Sequence, residues 1–169
     1  MDIDGFEVFT IDAGQHSSVL RNEAFTGSGI DATVVFDDSA IYTLEVTSDQ
    51  ADINKLLGFS DCGVRHQLES ARIGWRWFNE ELQLFAYAYL EGDLRFELMG
   101  AIPLNTEIDL RIKATASAYE FSGTGLSSVS LARNSNCEVS ENYWLWPYFG
   151  GDQVAPHDIN IRLKREQID

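Results

Sequence analysis

Apolar and polar residues alternate with a period of two along most of this chain, and no long stretch carries the 3.6-residue period of a helix. The alternation predicts strands over residues 6–11, 32–36, 41–46, 71–78, 82–90, 94–102, 108–114, 118–121, 127–131, 143–148 and 159–163. Turn-forming stretches separate them: Gly27-Ser28-Gly29, Glu91-Gly92-Asp93, Ser122-Gly123-Thr124-Gly125 and Gly150-Gly151-Asp152. One short helix is expected over 52–57, with Asp52 capping its first turn. Pro103, Pro147 and Pro156 sit near strand ends, where a sheet tolerates a missing N–H. Strands in quick succession, with no helices between them, exclude a βαβ fold. They predict an all-β, antiparallel two-sheet β-sandwich or a barrel, with at most one short helix.

Composition narrows the picture. With 169 residues, 44% of them hydrophobic, the chain can bury a sizeable core, and one domain is expected over 1–169. No apolar run approaches the roughly 18–20 residues of a membrane span. Acidic residues number 27 against 12 basic ones, a net charge of -15, which opposes nucleic acid and anionic membrane surfaces as partners. Residues 1–54 contain a single base, Arg21, and read as a solvated acidic surface. Asp37-Asp38, with Asp12 or Asp31, offers oxygens for a structural calcium; no other cofactor is expected. Oligomeric state is left open by these patterns.

Cys62 and Cys137 lie in loop-like stretches and form no CxxC motif, so one disulfide in an oxidising compartment is expected. Two free thiols in a cytosolic protein are the alternative. Met1-Asp2-Ile3-Asp4 has neither the basic nor the apolar region of a secretion signal.

Parity assigns the chemistry of the central hairpin. Ala71, Ile73, Trp75 and Trp77 share one face with Leu82, Leu84, Ala86, Ala88 and Leu90, and should form the core. The reverse face then carries Arg72, Arg76, Gln83, Tyr87 and Tyr89. Aromatic rings stack on sugar C–H faces while Arg and Gln hydrogen-bond hydroxyls, so this face suits a carbohydrate. Cross-strand pairing that merely decorates a sheet is the bland alternative. Tyr148, Asp152, His157 and Asp158, on a Gly- and Pro-bearing loop, are candidates for the rim, or a set of loop-locking hydrogen bonds. Asp61 and His66 could serve as ligands or catalytic groups.

No GxSxG, HExxH, P-loop or GxGxxG motif is present. Glu80-Glu81 and Asp37-Asp38 are adjacent pairs whose side chains would face opposite ways on a strand, unlike a glycosidase pair. The first expectation is therefore a non-catalytic module binding carbohydrate or another envelope ligand through Arg72, Arg76, Gln83, Tyr87, Tyr89, Tyr148, His157 and Asp158. The alternatives are a structural or interaction protein, and a polysaccharide lyase or glycoside hydrolase. The lyase would use His66 or His157 as base, a Tyr as acid and an Arg against a uronate.

Three stretches together carry a resemblance: residues 54–62 (NKLLGFSDC), 70–77 (SARIGWRW), and Trp146-Pro147-Tyr148-Phe149-Gly150-Gly151 through Ala155-Pro156-His157-Asp158-Ile159. Over residues 52–164 the chain resembles a group of uncharacterised exported or lipid-anchored proteins of Bacteroidetes-type bacteria. The resemblance implies a secreted or cell-envelope location and a compact β-sandwich, and it supplies no catalytic residues. In strand pattern alone the chain is similar to jelly-roll and concanavalin-like sandwiches, among them lectins, glucanases and polysaccharide lyases, so the expected fold is a two-sheet β-sandwich of jelly-roll or concanavalin-like type.

Overall fold

A computed structural model describes residues 4–137 and 141–169. Among these the strands, numbered in chain order, are β1 (Glu7–Ile11), β2 (Ala24–Phe25), β3 (Gly29–Phe36), β4 (Asn54–Ser60), β5 (Ser70–Phe78), β6 (Glu81–Leu90), β7 (Asp93–Ile102), β8 (Ile108–Ala114), β9 (Ala118–Gly123), β10 (Val129–Ala132), β11 (Asn142–Leu145) and β12 (Ile159–Ile168). They form two antiparallel six-stranded sheets, ordered β1-β12-β3-β8-β9-β10 and β2-β11-β4-β5-β6-β7. The expected two-sheet sandwich is the fold. No helix among the described residues is long and apolar enough to cross a membrane.

The core lies between the sheets and follows the predicted parity. Ala71, Ile73 and Trp75 of β5 and Leu82, Leu84, Ala86 and Ala88 of β6 point inward, each at most 2% exposed. They meet Ile159, Ile161 and Leu163 of β12, Leu110 and Ile112 of β8, and Tyr119 and Phe121 of β9. Each large side chain removed from water contributes roughly 1.5–3 kcal/mol, which is what selects this register over a one-residue slip.

Two expected elements are corrected. Residues 52–57 are not a helix: a 3₁₀ turn, Thr47–Ala51, ends at Asp52, and β4 begins at Asn54. Six residues are too few to repay helix nucleation, whereas pairing with β5 satisfies the backbone. A bulge between Lys55 and Leu57 lets adjacent Leu56 and Leu57 both be buried, which imitates a helical pattern in sequence. Gly58 passes so close to β5 that a Cβ would lie 2.1 Å from the Ala71 carbonyl oxygen. Nor are residues 41–46 a strand; a second 3₁₀ turn, Asp38–Ala40, precedes an irregular segment. There Ile41 and Val46 stay exposed while Tyr42 is buried, its hydroxyl accepting from Asn54 Nδ2 at 2.9 Å.

The Cys62–Cys137 disulfide is present, with Cα atoms 4.8 Å apart and a sequence separation of 75. The aspartates considered for calcium are spread over separate contacts. Asp37 accepts from the Ser39 N–H at 2.8 Å, Asp38 from Asn105 Nδ2 at 2.7 Å, and Asp31 pairs with Arg111.

Candidate functional site

The outer face of β5 and β6 is the floor of an open groove of about 690 Å³. Its wall is the chain from β11 through Tyr148, together with the loop residues Ser17–Asn22. Tyr148 is pinned across the groove by backbone hydrogen bonds in both directions with Lys55, 2.8 and 2.9 Å. Pro147, which has no N–H to donate, marks where β11 leaves the regular ladder.

Arg72, Tyr87 and Tyr89 converge here as the parity required, and Tyr148, expected at the rim, joins them. Arg72 is 7% exposed; its Nη2 donates to the Trp146 carbonyl at 2.8 Å, and its Nε has no partner. Burial pulls its pKa down to about 10, against support from the surrounding tyrosines, so it remains cationic at neutral pH. Tyr87 is also buried, and its hydroxyl is pushed up by burial and by neighbouring Tyr89.

Three further groups complete the groove. Lys55 reaches it from β4: Nζ donates to the Gly150 carbonyl at 2.7 Å and lies 5.5 Å from the Tyr87 ring centre and 5.7 Å from that of Tyr148. Burial, then repulsion from Arg72, lowers its pKa to about 8. His66 enters from the β4–β5 loop, and burial, then repulsion from Arg72 and Lys55, lowers its pKa to about 4. It is therefore a neutral imidazole at pH 7. Tyr143 of β11 accepts the His66 backbone N–H at 2.9 Å, and its hydroxyl lies 3.1 Å from His66 Nδ1.

The loop carrying His66 is firmly tied. Asp61, 2% exposed, accepts from the Tyr119 hydroxyl at 2.6 Å and from Arg133 Nε and Nη2 at 2.6 and 3.0 Å. Burial alone would raise the Asp61 carboxyl, but the hydrogen bonds from Arg133 and Tyr119 outweigh it and hold the pKa low. Cys62 is disulfide-bonded, and the Ser70 hydroxyl donates to the His66 carbonyl at 2.7 Å.

The other sequence-named candidates lie elsewhere. Arg76 and Gln83 share the outer face but engage each other, Arg76 Nε donating to Gln83 Oε1 at 2.8 Å. Arg76 also donates to the Ala51 carbonyl. His157 Nε2 donates to the Ser39 carbonyl at 2.8 Å, and Asp158 accepts from the Ala13 N–H at 2.8 Å. Both fasten loops away from the groove, the locking role weighed for them in sequence. Asp152 lies at a neighbouring recess with Lys55 and Tyr87.

Among the described residues that line the groove there is no Asp or Glu, although the cations Lys55 and Arg72 are there, with Arg21 at the rim paired to Glu7 and Glu23 outside it. A cationic, carboxylate-free groove in a chain of net charge -15 is a local reversal of the protein's field. Most retaining and inverting glycosidases work with a carboxyl pair. What this groove holds is a neutral base, a phenol in hydrogen-bond reach of it, and cations that would bind an anion.

No family model matches the sequence, and no curated protein does. Solved structures do match the fold. An alginate lyase from Klebsiella pneumoniae superposes with a TM-score of 0.61 at 12% identity, over 82% of this chain and 59% of that one, so the chain spans under two thirds of that enzyme. An alginate lyase, AlyC3, in complex with dimannuronate gives 0.59 at 12% identity, over 97% and 76%. A Bacteroides ovatus mixed-linkage glucan GH16 protein in complex with a product gives 0.61 at 10% identity, over 98% and 83%. The fold is thus the concanavalin-like jelly roll on which these glycan-cleaving enzymes are built. The first expectation, a non-catalytic binding module, is corrected accordingly: the structures sharing this fold are lyases and glycoside hydrolases, the enzyme alternative named from sequence.

Proposed function

We propose that the protein is a polysaccharide lyase that cleaves a uronate-containing glycan by β-elimination. The carrying observation is the carboxylate-free cationic groove with His66 neutral beside Tyr143. The fold shared with alginate lyases supports the same reading.

Arg72 and Lys55 bind the uronate carboxylate, and their charge makes its α-proton, H5, more acidic. With the His66 proton on Nδ1, directed at the Tyr143 oxygen, Nε2 carries the lone pair that takes H5. The C5–H electron pair passes into the carboxyl group as an enolate held by the two cations. Its collapse forms the C4=C5 double bond and breaks C4–O4. The Tyr143 hydroxyl protonates the departing O4. Tyr143 then recovers a proton from His66 Nδ1 through their contact, which leaves His66 neutral with the H5 proton on Nε2; exchange of that proton through water, out from Nε2 and back onto Nδ1, restores the starting tautomer with no net proton released. The described lining of the groove offers no carboxyl pair, which argues against the hydrolase branch of the same alternative.

An exported, cell-envelope setting belongs to this proposal. It is supported by the disulfide, which persists in oxidising compartments, and by the resemblance to exported Bacteroidetes-type proteins. The test is a panel of uronate polymers and neutral glucans, with ultraviolet absorbance of the conjugated double bond as the readout. Absorbance rising with a uronate polymer and not with glucans is expected; reducing ends appearing without absorbance would overturn the proposal.

A further inference from the structure

The second sheet ends on β7, whose outer edge is open. Residues 93–98 are exposed throughout; only farther along is the edge covered, where the Ser127 N–H donates to the Met99 carbonyl at 2.9 Å. Leu94, Phe96 and Leu98 stand opposite Tyr89, Tyr87 and Phe85 of β6, so they extend the groove face. They are 41%, 55% and 47% exposed. Arg95 and Glu97 alternate with them on the reverse face. Open apolar edges are normally blunted, because their unpaired backbone groups template pairing with another chain.

The stretch Leu94-Arg95-Phe96-Glu97-Leu98 is self-complementary. When two copies run antiparallel about a two-fold axis at Phe96, Arg95 of each faces Glu97 of the other, Leu94 faces Leu98, and Phe96 faces Phe96. Shifting the axis to Arg95 sets Arg95 against Arg95 and Asp93 against Glu97; shifting it to Glu97 sets Glu97 against itself. Like charges directly opposite destabilise a ladder, which rules out those two axes; an axis at Leu94 also sets Asp93 against Arg95 but pairs only three residues, because β7 begins at Asp93, and an axis at Leu98 needs the edge from Met99 onward that Ser127 covers, so charge and length together select the Phe96 register. We propose that the protein dimerises through β7 edges in this register. The axis stands perpendicular to the sheets, so the second sheets of both copies join into one and both grooves open on the same side. That arrangement suits a long polymer.

Sedimentation over a concentration series tests it on the whole chain. The wild type is expected to dimerise, R95E to weaken the dimer about tenfold by replacing two attractive pairs with two repulsive ones, and R95E/E97R to restore it. F96C gives a second readout. The native cysteines are bonded to each other, and two residues facing each other on an axis have Cβ atoms about 4.5–5.5 Å apart. Oxidised F96C should form a covalent dimer, and oxidised L94C should not. A monomer at every soluble concentration, an R95E variant as dimeric as wild type, or equal cross-linking of F96C and L94C would each overturn the proposal.

Discussion

The Tyr143 hydroxyl oxygen sits between two donors from one residue, 2.9 Å from the His66 backbone nitrogen and 3.1 Å from its Nδ1. When both donate, the phenolic hydrogen has to leave that contact, and His66 Nε2 is left as the basic nitrogen. Acid and base are thereby prepared by a single junction. H66Q is expected to lower kcat by about 10²–10⁴-fold, and Y143F by a similar factor, with melting temperatures within a few degrees of wild type. Full activity in H66Q would remove His66 from the chemistry.

The pH profile of kcat/KM should be bell-shaped. Activity rises as His66 loses its proton near pH 4 and falls as Lys55 loses its own near pH 8. Arginine stays charged far above that range, so K55R should move the alkaline limb upward and leave the acid limb in place. An alkaline limb unmoved by K55R would dissociate Lys55 from carboxylate binding.

Arg72 presents an unpartnered Nε, with Lys55 as its neighbouring cation and no carboxylate in the groove lining. R72M keeps the volume and removes a buried charge that lacks an ionic partner, so stability should change little. Catalysis should fall about 10²–10³-fold, measured as kcat/KM on a uronate polymer. Retained catalysis in a folded R72M would exclude the guanidinium from enolate stabilisation.

The Asp61–Arg133 pair and the disulfide act on the His66 loop from its other end. D61N removes the charge facing Arg133 and should cost about 3 kcal/mol in denaturant unfolding. Reduction of Cys62–Cys137 should cost about 4 kcal/mol in the chain-entropy picture, for a separation of 75 residues. An unchanged midpoint in either case would mean the loop is held by other contacts.

The sandwich and the Arg72/Tyr87 face were legible because a period of two survives in any single strand. The alternation in β5 and β6 states which side chains turn inward without reference to other segments. Lys55 was hidden because the β4 bulge buries Leu56 and Leu57 side by side and imitates a helix. The roles of His157 and Asp158 depend on partners 118 and 145 residues away, a distance no local pattern spans. Tyr143 stood in the strand expected over 143–148, but its junction with His66 joins residues 77 apart and exists only once β11 docks on β4. Cleft chemistry assembled from loops is therefore the part that required coordinates.

Mass spectrometry of the fragments distinguishes elimination at His66 from hydrolysis. Elimination leaves one fragment of each cut lighter by one water than the corresponding saturated oligomer; such fragments are expected from a uronate polymer and should be lost in H66Q. Fragments carrying the full mass of an added water, or no cleavage of any uronate polymer, would contradict elimination.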